Sequence, residues 1–171
     1  MKQTSVHELH ARLGAKLIEF GGWHMPVQYG PILDEVQCVR SRAGLFDLGH
    51  MGSVQVTGRD AVAFLDRLAT NYVAKIPIGA IRYALFCRED GNPIDDLLVY
   101  REPQSVYLVL NASNTAADLE WMHAHARGCE VSIDDQTERT AMLALQGQLS
   151  QRVLQRLVED CDLGTIGYYK F

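Results

Sequence analysis

The sequence lacks an excess of positive charge and any long hydrophobic run. It has 16 Lys and Arg against 21 Asp and Glu, a formal net charge of -5. That balance argues against a nucleic-acid-binding protein that works through a basic surface. No apolar run approaches the roughly 20 residues that cross a bilayer, and the stretch from Met1 to Glu8 is too polar for a signal peptide. We therefore expect a cytoplasmic bacterial protein with neither nucleic acid nor membrane as partner.

Metal-binding and disulfide motifs are also missing. The four cysteines are widely spaced with no C-x-x-C pair, so we expect buried, reduced thiols at Cys38, Cys87, Cys129 and Cys161. His7 and His10 are three residues apart, whereas the H-E-x-x-H zinc helix needs histidines four apart. His123 and His125 are two apart on a predicted helix and point in different directions. We expect all four histidines to be surface or packing residues, and no metal site.

Glycine patterns that cradle phosphates are absent as well. None of the 14 glycines falls into G-x-G-x-x-G or a Walker motif, and there is no G-x-S-x-G nucleophile elbow. These absences argue against nucleotide binding and leave a Ser-His-Asp hydrolase without specific support.

What is present is a chain of 171 residues, 47% of them apolar, which is enough to bury a core. Apolar spacing predicts helices over residues 6–17, 31–42, 60–68, 114–128 and 148–160. Alternation and turn residues predict strands over 53–57, 82–87, 94–100, 105–111, 131–133 and 140–145, with a glycine-rich and aromatic loop over 20–30. Turn-forming residues separate the predicted strands 82–87 and 94–100, and this pattern predicts a hairpin. This order favours an α+β fold with antiparallel sheets and flanking helices.

Two adjacent carboxylates, Asp95 and Asp96, stand near the start of an apolar strand. Successive strand residues point to opposite faces, so the two side chains diverge, and one of them is costly to bury. One interpretation makes both of them turn-end residues that bond backbone amides. The other makes Asp96 an acid, base or orienting acceptor in a pocket walled by Tyr83 and Tyr100.

Polar residues at two other strand ends add to this picture. The side-chain amide of Asn111 offers a donor and an acceptor to a planar heterocycle, whereas Asn114 fits simple helix capping better. His50 and Met51 lie between two glycines and are typical of a pocket rim. Each of these signals is weak alone.

Taken in order, these segments resemble a known family. The strings LGAKLIEFGGWHMPVQY (13–29), VRSRAGLFD (39–47) and HMG (50–52) are similar to the glycine cleavage system T-protein, the aminomethyltransferase family. DG (90–91), IDDLLVY (94–100), VLNASN (109–114) and ALQG (144–147) continue the resemblance, which covers essentially the whole chain. The chain departs from the family at two places: it has Gly49 where family members usually have Ser, and Asn92-Pro93 in place of the more common glycine-bearing turn.

The resemblance implies a folate-binding aminomethyltransferase-like fold and a folate-dependent activity. The family transfers the aminomethyl group from the lipoyl arm of the H-protein to tetrahydrofolate, releasing ammonia and forming 5,10-methylenetetrahydrofolate. The family's catalytic aspartate falls on Asp96. Its folate-pocket positions fall on Met51, Tyr83, Tyr100, Asn111, Tyr168 and Tyr169. A fixed carboxylate there orients the pterin and stabilises developing positive charge.

The resemblance also predicts the domain organisation. We expect a first, discontinuous domain of residues 1–52 and 138–171, incomplete at its C-terminus, with an α+β domain of residues 53–137 inserted in it. Family members continue well beyond residue 171, so the chain is expected to be an N-terminal portion. The alternatives are a truncated or short non-catalytic paralogue, or a related folate-dependent demethylase.

Overall fold

The computed structural model describes all of residues 1–171 and contains five α-helices and nine β-strands. The helices are α1 (His7–Arg12), α2 (Ile32–Ser41), α3 (Ala61–Leu68), α4 (Thr115–His125) and α5 (Ser150–Gln155). The strands are β1 (Lys16–Phe20), β2 (Trp23–Gln28), β3 (Gly44–Asp47), β4 (Gly52–Thr57), β5 (Ala80–Cys87), β6 (Pro93–Arg101), β7 (Val106–Leu110), β8 (Ser132–Asp135) and β9 (Leu143–Gln146). None of the helices has the length and apolar character of a membrane span. Helices combined with antiparallel sheets confirm the predicted α+β class.

Contacts along the chain divide it into two units. The first unit consists of Met1–His50 and Thr140–Gly167, and the second of Met51–Arg139 and Tyr168–Phe171. The domains predicted from the sequence, 1–52 with 138–171 and 53–137, remain a prediction about independently folding bodies. In the structure the last four residues associate with the second unit.

The second unit is built on a five-stranded antiparallel sheet of order β5-β6-β7-β4-β8. Its β5–β6 hairpin pairs Ala84 with Leu97 and Leu85 with Asp96, which confirms the predicted hairpin. The next strand continues the row, because Leu97 also pairs with Leu110 of β7. This register fixes which residues of neighbouring strands share a face.

One face of this sheet forms the apolar core together with α3 and α4. Helix α3 buries Phe64, Leu65 and Leu68, and α4 buries Met122. The sheet contributes alternate residues from each strand to this core, including Val54, Val56, Ala84, Phe86, Leu97, Val99, Val106, Leu108 and Leu110. The period of two along the strands leaves the opposite face free for other functions.

The first unit begins with a short helix and a hairpin. Strands β1 and β2 are antiparallel and are joined by Gly21 and Gly22, whose φ angles are 57° and 86°. Two successive positive φ angles suit a tight hairpin turn, which only glycine adopts without strain. The predicted loop over 20–30 is therefore wrong. The predicted helix over 6–17 is too long, because α1 ends at Arg12 and the following residues pair into β1.

The rest of the first unit follows the prediction only in part. Helix α2 begins after Pro31 as expected, and β3 pairs with β9 in antiparallel register. Helix α5 is shorter than the predicted 148–160. The Gln155 side chain explains its end: it donates to the carbonyls of Val158 and Cys161 at 3.0 and 2.8 Å and accepts from the Leu163 amide at 2.8 Å. This fixes an irregular segment in place of further helical turns.

A buried polar network ties the elements of the first unit together. His10 lies 2.8 Å from Asp47 through Nε2, and its Nδ1 lies 2.6 Å from the Tyr29 hydroxyl. The Asp47 carboxylate also accepts from Thr4 Oγ1 at 2.6 Å and from the Gly49 amide at 2.8 Å. Burial raises the pKa of Asp47, but these hydrogen bonds outweigh it and the pKa is lowered overall. His10 is thus a packing histidine, as predicted.

The cysteines correct one expectation. All four thiols are unpaired, but Cys38 and Cys161 are exposed and Cys87 and Cys129 are only half-buried. Cys38 lies on α2, none of whose residues is buried, and Cys161 follows the end of α5. The preference of free cysteine for protein interiors does not hold where the element itself is at the surface.

Candidate functional site

The face of the large sheet opposite the core carries an aromatic and acidic surface. Strands β5, β6 and β7 direct alternate residues to it, and we call the set Tyr83, Asp96, Leu98, Tyr100 and Tyr107 the tyrosine face. The rings of Tyr100 and Tyr107, which are directly paired across β6 and β7, lie 5.7 Å apart at 80°. Edge-to-face packing of this kind holds the rings in place.

Asp95 points away from this face and into the second unit. It is only 5% exposed and shares the core side of β6 with Leu97 and Val99. Its carboxylate accepts from Asn114 Nδ2 at 2.6 Å, from Asn111 Nδ2 at 3.0 Å and from the Asn111 backbone amide at 3.1 Å. Burial raises the pKa of Asp95, but these bonds outweigh it and lower the pKa overall. Asp95 is a structural carboxylate, and both of its oxygens accept hydrogen bonds.

Asp96 points the other way and is exposed on the tyrosine face. The predicted divergence of the two side chains is confirmed, but the costly buried carboxylate belongs to Asp95. Asn111 Nδ2 contacts Asp96 at both the carboxylate, 3.1 Å to Oδ1, and the backbone carbonyl, 2.9 Å. One amide group therefore bridges Asp95 and Asp96 and fixes the strand end, while the Asp96 side chain stays exposed.

The Tyr83 side chain lies beside this exposed carboxylate. Burial and then the charge of Asp96 raise the pKa of Tyr83, so its hydroxyl stays protonated and able to donate. Burial, with Tyr107 and Tyr169 nearby, also raises the pKa of Tyr100. The structure thus places Tyr83, Asn111 and Asp96 close to one another, with Tyr100 further along the same face of β6.

The last residues of the chain lie along the edge of the same sheet. Ile81 N donates to Tyr169 O at 2.9 Å and Phe171 N donates to Gly79 O at 3.2 Å. The Phe171 ring packs 5.4 Å from that of Tyr100. Tyr169 has a φ of 56°, rare for a residue with a side chain, and its ring lies 4.5 Å from that of Tyr168. Tyr169 is thus placed beside the tyrosine face, whereas the Tyr168 side chain is 91% exposed.

Met51 stands one residue before β4, and the sheet register places it at the same end of the sheet. Gly52 pairs with Leu110, which pairs with Leu97. The next aligned positions, one residue further toward this end of the sheet, are Met51, Asn111 and Asp96 on three adjacent strands. Met51 is half-buried there. Its assignment to a folate pocket stays a prediction, as do those of the other six site residues.

Asn114 corrects a smaller expectation. It occupies the N-cap position of α4, but its side chain makes no capping hydrogen bond. The side-chain amide donates to Asp95 instead. The preference of asparagine for the N-cap reflects a local hydrogen bond to the helix backbone. Here the side chain instead bonds the buried, charged carboxylate on a neighbouring strand, which is the stronger acceptor.

Asp118 is a site residue that the sequence analysis missed. It lies in the first turn of α4, and its side chain is fully buried with no hydrogen-bond donor at either oxygen. Burial and the adjacent carboxylates of Asp95 and Asp96 raise its pKa to about 8. An acidic residue on a helix normally indicates a solvated position. Only its spacing four residues after Asn114, which puts both on one helix face, indicates that Asp118 lies near the site.

Comparison with known proteins identifies the family. The family profile described as "GCVT N-terminal domain" matches residues 6–171. The chain belongs to this family. It is 48% identical to an aminomethyltransferase of Desulfitobacterium hafniense and 49% identical to one of Geobacillus kaustophilus, each over 172 aligned residues. Both alignments cover 100% of the chain and 47% of the relative. The chain of this GCVT N-terminal family member thus spans about half the length of the curated relatives it matches.

A solved structure supports the same assignment. The GCVT N-terminal chain superposes on the crystal structure of the glycine cleavage system aminomethyltransferase T from Bartonella henselae with a TM-score of 0.92. The two sequences are 33% identical, and the match covers 99% of this chain and 46% of the other. The resemblance stated from the sequence motifs is thereby confirmed at the level of family and fold.

Proposed function

We propose that the chain supplies the catalytic carboxylate and part of the folate-binding surface of a glycine cleavage aminomethyltransferase. The reaction would move the aminomethyl group from the lipoyl arm of the H-protein to tetrahydrofolate, with release of ammonia and formation of 5,10-methylenetetrahydrofolate. The observation that carries the proposal is the contrast between the two neighbouring carboxylates. Asp95 is buried and accepts hydrogen bonds at both oxygens, whereas Asp96 is fixed by Asn111 yet exposed on the tyrosine face.

The tyrosine face has the chemistry that a reduced pterin needs. Aromatic rings at Tyr83 and Tyr100 offer apolar surface to a planar heterocycle, and the side-chain oxygen of Asn111 is an acceptor. Asp96 accepts from an N–H group and stabilises positive charge that develops on a nearby nitrogen. We propose Asp96 as the catalytic residue, and Met51, Tyr83, Tyr100, Asn111, Tyr168 and Tyr169 as folate contacts.

Calorimetric titration of the chain with tetrahydrofolate tests the binding half of the proposal. We expect saturable binding by the wild-type chain, weakened in Asp96→Ala because an acceptor for the ligand's N–H groups is lost. Glu89→Ala is the matched control, because it removes an exposed carboxylate from the β5–β6 turn. Binding that is unchanged in Asp96→Ala contradicts the assignment of Asp96, and an absence of binding by the wild-type chain contradicts the proposal.

A transfer assay tests the catalytic half. The chain is mixed with H-protein that carries an aminomethylated lipoyl group and with tetrahydrofolate, and ammonia release is measured. We expect Asp96→Ala to lose at least about a hundredfold in rate, as for removal of a fixed electrostatic group. Folate binding without any transfer by the wild-type chain would instead support the non-catalytic alternative.

A further inference from the structure

Asp118 is a buried acid without an evident counter-charge. Its side chain is fully buried, and neither oxygen receives a hydrogen bond from any N–H or O–H group. The same helix packs on the apolar core through Leu119, Trp121 and Met122. An ionised carboxylate in such surroundings carries a large desolvation cost, so natural proteins keep the group neutral or give it a partner.

The group available to Asp118 is the carboxylate of Asp95. Asn114 and Asp118 are four residues apart on α4 and so lie on one face of the helix. Asn114 already donates to Asp95 at 2.6 Å, which places that face against the buried end of β6. The titratable groups that act on Asp118 are Asp95 and Asp96, both from β6. Two carboxyl groups in this position are compatible only if they share a proton.

We propose that Asp118 is a positioning residue for Asp96: as a neutral acid it donates its proton to the Asp95 carboxylate, which then holds Asn111 against Asp96. The proposal deepens the function proposed above and rests on it for the role of Asp96. Asp95 accepts from the Asn111 side chain at 3.0 Å, and that side chain reaches Asp96 Oδ1 at 3.1 Å. Loss of the Asp118 proton places two negatively charged carboxylates, Asp118 and Asp95, side by side. Their repulsion breaks the hydrogen bonds that connect Asp118 through Asp95 and Asn111 to Asp96. The site then loses its fixed geometry reversibly at alkaline pH.

The test is an NMR pH titration of the unliganded chain with labelled aspartate carboxyl and asparagine side-chain amide groups. We expect one aspartate to titrate near pH 8. The amide signals of Asn111 and Asn114 should shift with the same midpoint. An Asp118 that titrates near its ordinary value of about 4 overturns the proposal. So do Asn111 signals that do not follow the Asp118 titration.

Three variants separate positioning from simple structural support. Asp118→Asn keeps an N–H donor, so the Asn111 amide should stay at its wild-type low-pH position and lose the alkaline shift. Asp118→Leu removes the donor, so that signal should move to a new position at every pH. Glu120→Gln, an exposed change on the same helix, should leave the midpoint unchanged. Loss of the wild-type Asn111 position in a folded Asp118→Asn chain counts against the proposal.

This experiment needs neither folate nor H-protein, so its outcome is distinguishable from that of the proposed function. A coupled titration in a chain that fails to bind tetrahydrofolate overturns the proposed function and leaves the proton-sharing pair intact. Folate binding without the coupled titration overturns the role of Asp118 alone.

Discussion

Asp95 and Asp96 are neighbours in the chain, yet their carboxylates have opposite environments. Asp95 is buried among amide donors, while Asp96 lies exposed beside Tyr83. The alternation of strand side chains separates the two, and Asn111 reconnects them by contacting both. Asp96 is therefore an anion that is fixed but accessible, because Asp95 accepts the buried hydrogen bonds that hold this strand end in place.

Replacing Asp95 should therefore cost far more stability than replacing Asp96. Asp95→Ala leaves the side chains of Asn111 and Asn114 without a buried acceptor, and we expect a loss of about 3 kcal/mol in the free energy of unfolding. Asp96→Ala is the matched neighbour and should change this free energy by less than about 1 kcal/mol, because Asn111 keeps its other acceptors. Urea denaturation followed by circular dichroism measures both. Equal losses would show that Asp96 is also a structural carboxylate.

Asp118 should make the stability of the chain depend on pH with a definite sign. Folded Asp118 keeps its proton up to about pH 8, whereas the unfolded chain releases it near pH 4. Between these values the unfolded state binds fewer protons, so the free energy of unfolding contributed by Asp118 falls as pH rises. Asp118→Asn removes this contribution and should be more stable than wild type at neutral pH, by about 4 kcal/mol, because about three pH units separate pH 7 from the unfolded pKa at about 1.4 kcal/mol each.

Urea denaturation of wild type and Asp118→Asn across this pH range is the measurement. The stability difference between the two chains should be small near pH 4 and grow toward pH 8. Other titrating groups, such as Asp47, affect both chains alike and cancel in the difference. A difference that stays constant with pH would mean that Asp118 ionises normally in the folded state.

At the scale of elements, the site depends on close contact between β4, β7 and the start of α4. Gly52 has no room for a side chain, since a Cβ atom there would lie 2.5 Å from Thr115 Oγ1 and 2.9 Å from Leu110 Cβ. Gly52→Ala should push α4 away from the sheet and cost about 2 kcal/mol, as overpacking does. Gly30→Ala, with nothing within 4 Å of the added atom, should be nearly neutral. Thermal denaturation compares them, and similar melting temperatures would contradict the close packing.

The elements also show which parts of this fold could be predicted. The β5–β6 hairpin was predictable because alternation, β-branched residues and a turn-forming linker agree within one short segment. Residues 16–20 were not, because their apolar spacing continues a helical stripe and only pairing with β2 selects a strand. The same limit applies to the site: strand geometry separates Asp95 from Asp96, but burial of Asp118 depends on how α4 packs, which no local pattern contains.

At the scale of the whole molecule, burial is divided unequally between the two units. Only Trp23 and Met25 are buried apolar residues of the first unit, whereas all the others belong to the second. The first unit instead exposes large apolar side chains on α2 and β3, such as Leu33 at 81% and Leu45 at 63%, and has an apolar groove of about 790 Å³. Since buried apolar area is the main source of folding free energy, the second unit should be the more stable.

The two tryptophans allow this difference to be measured, because Trp23 lies in the first unit and Trp121 in the second. The Trp121→Phe chain reports the first unit through Trp23, and the Trp23→Phe chain reports the second through Trp121. We expect the Trp23 fluorescence to change at a urea midpoint at least about 1 M lower than that of Trp121. The first unit buries less apolar area and therefore has the smaller free energy of unfolding. Circular dichroism of both variants should match wild type before urea is added. Coincident transitions would instead mean that the chain unfolds as one cooperative body, which would also count against two independent domains.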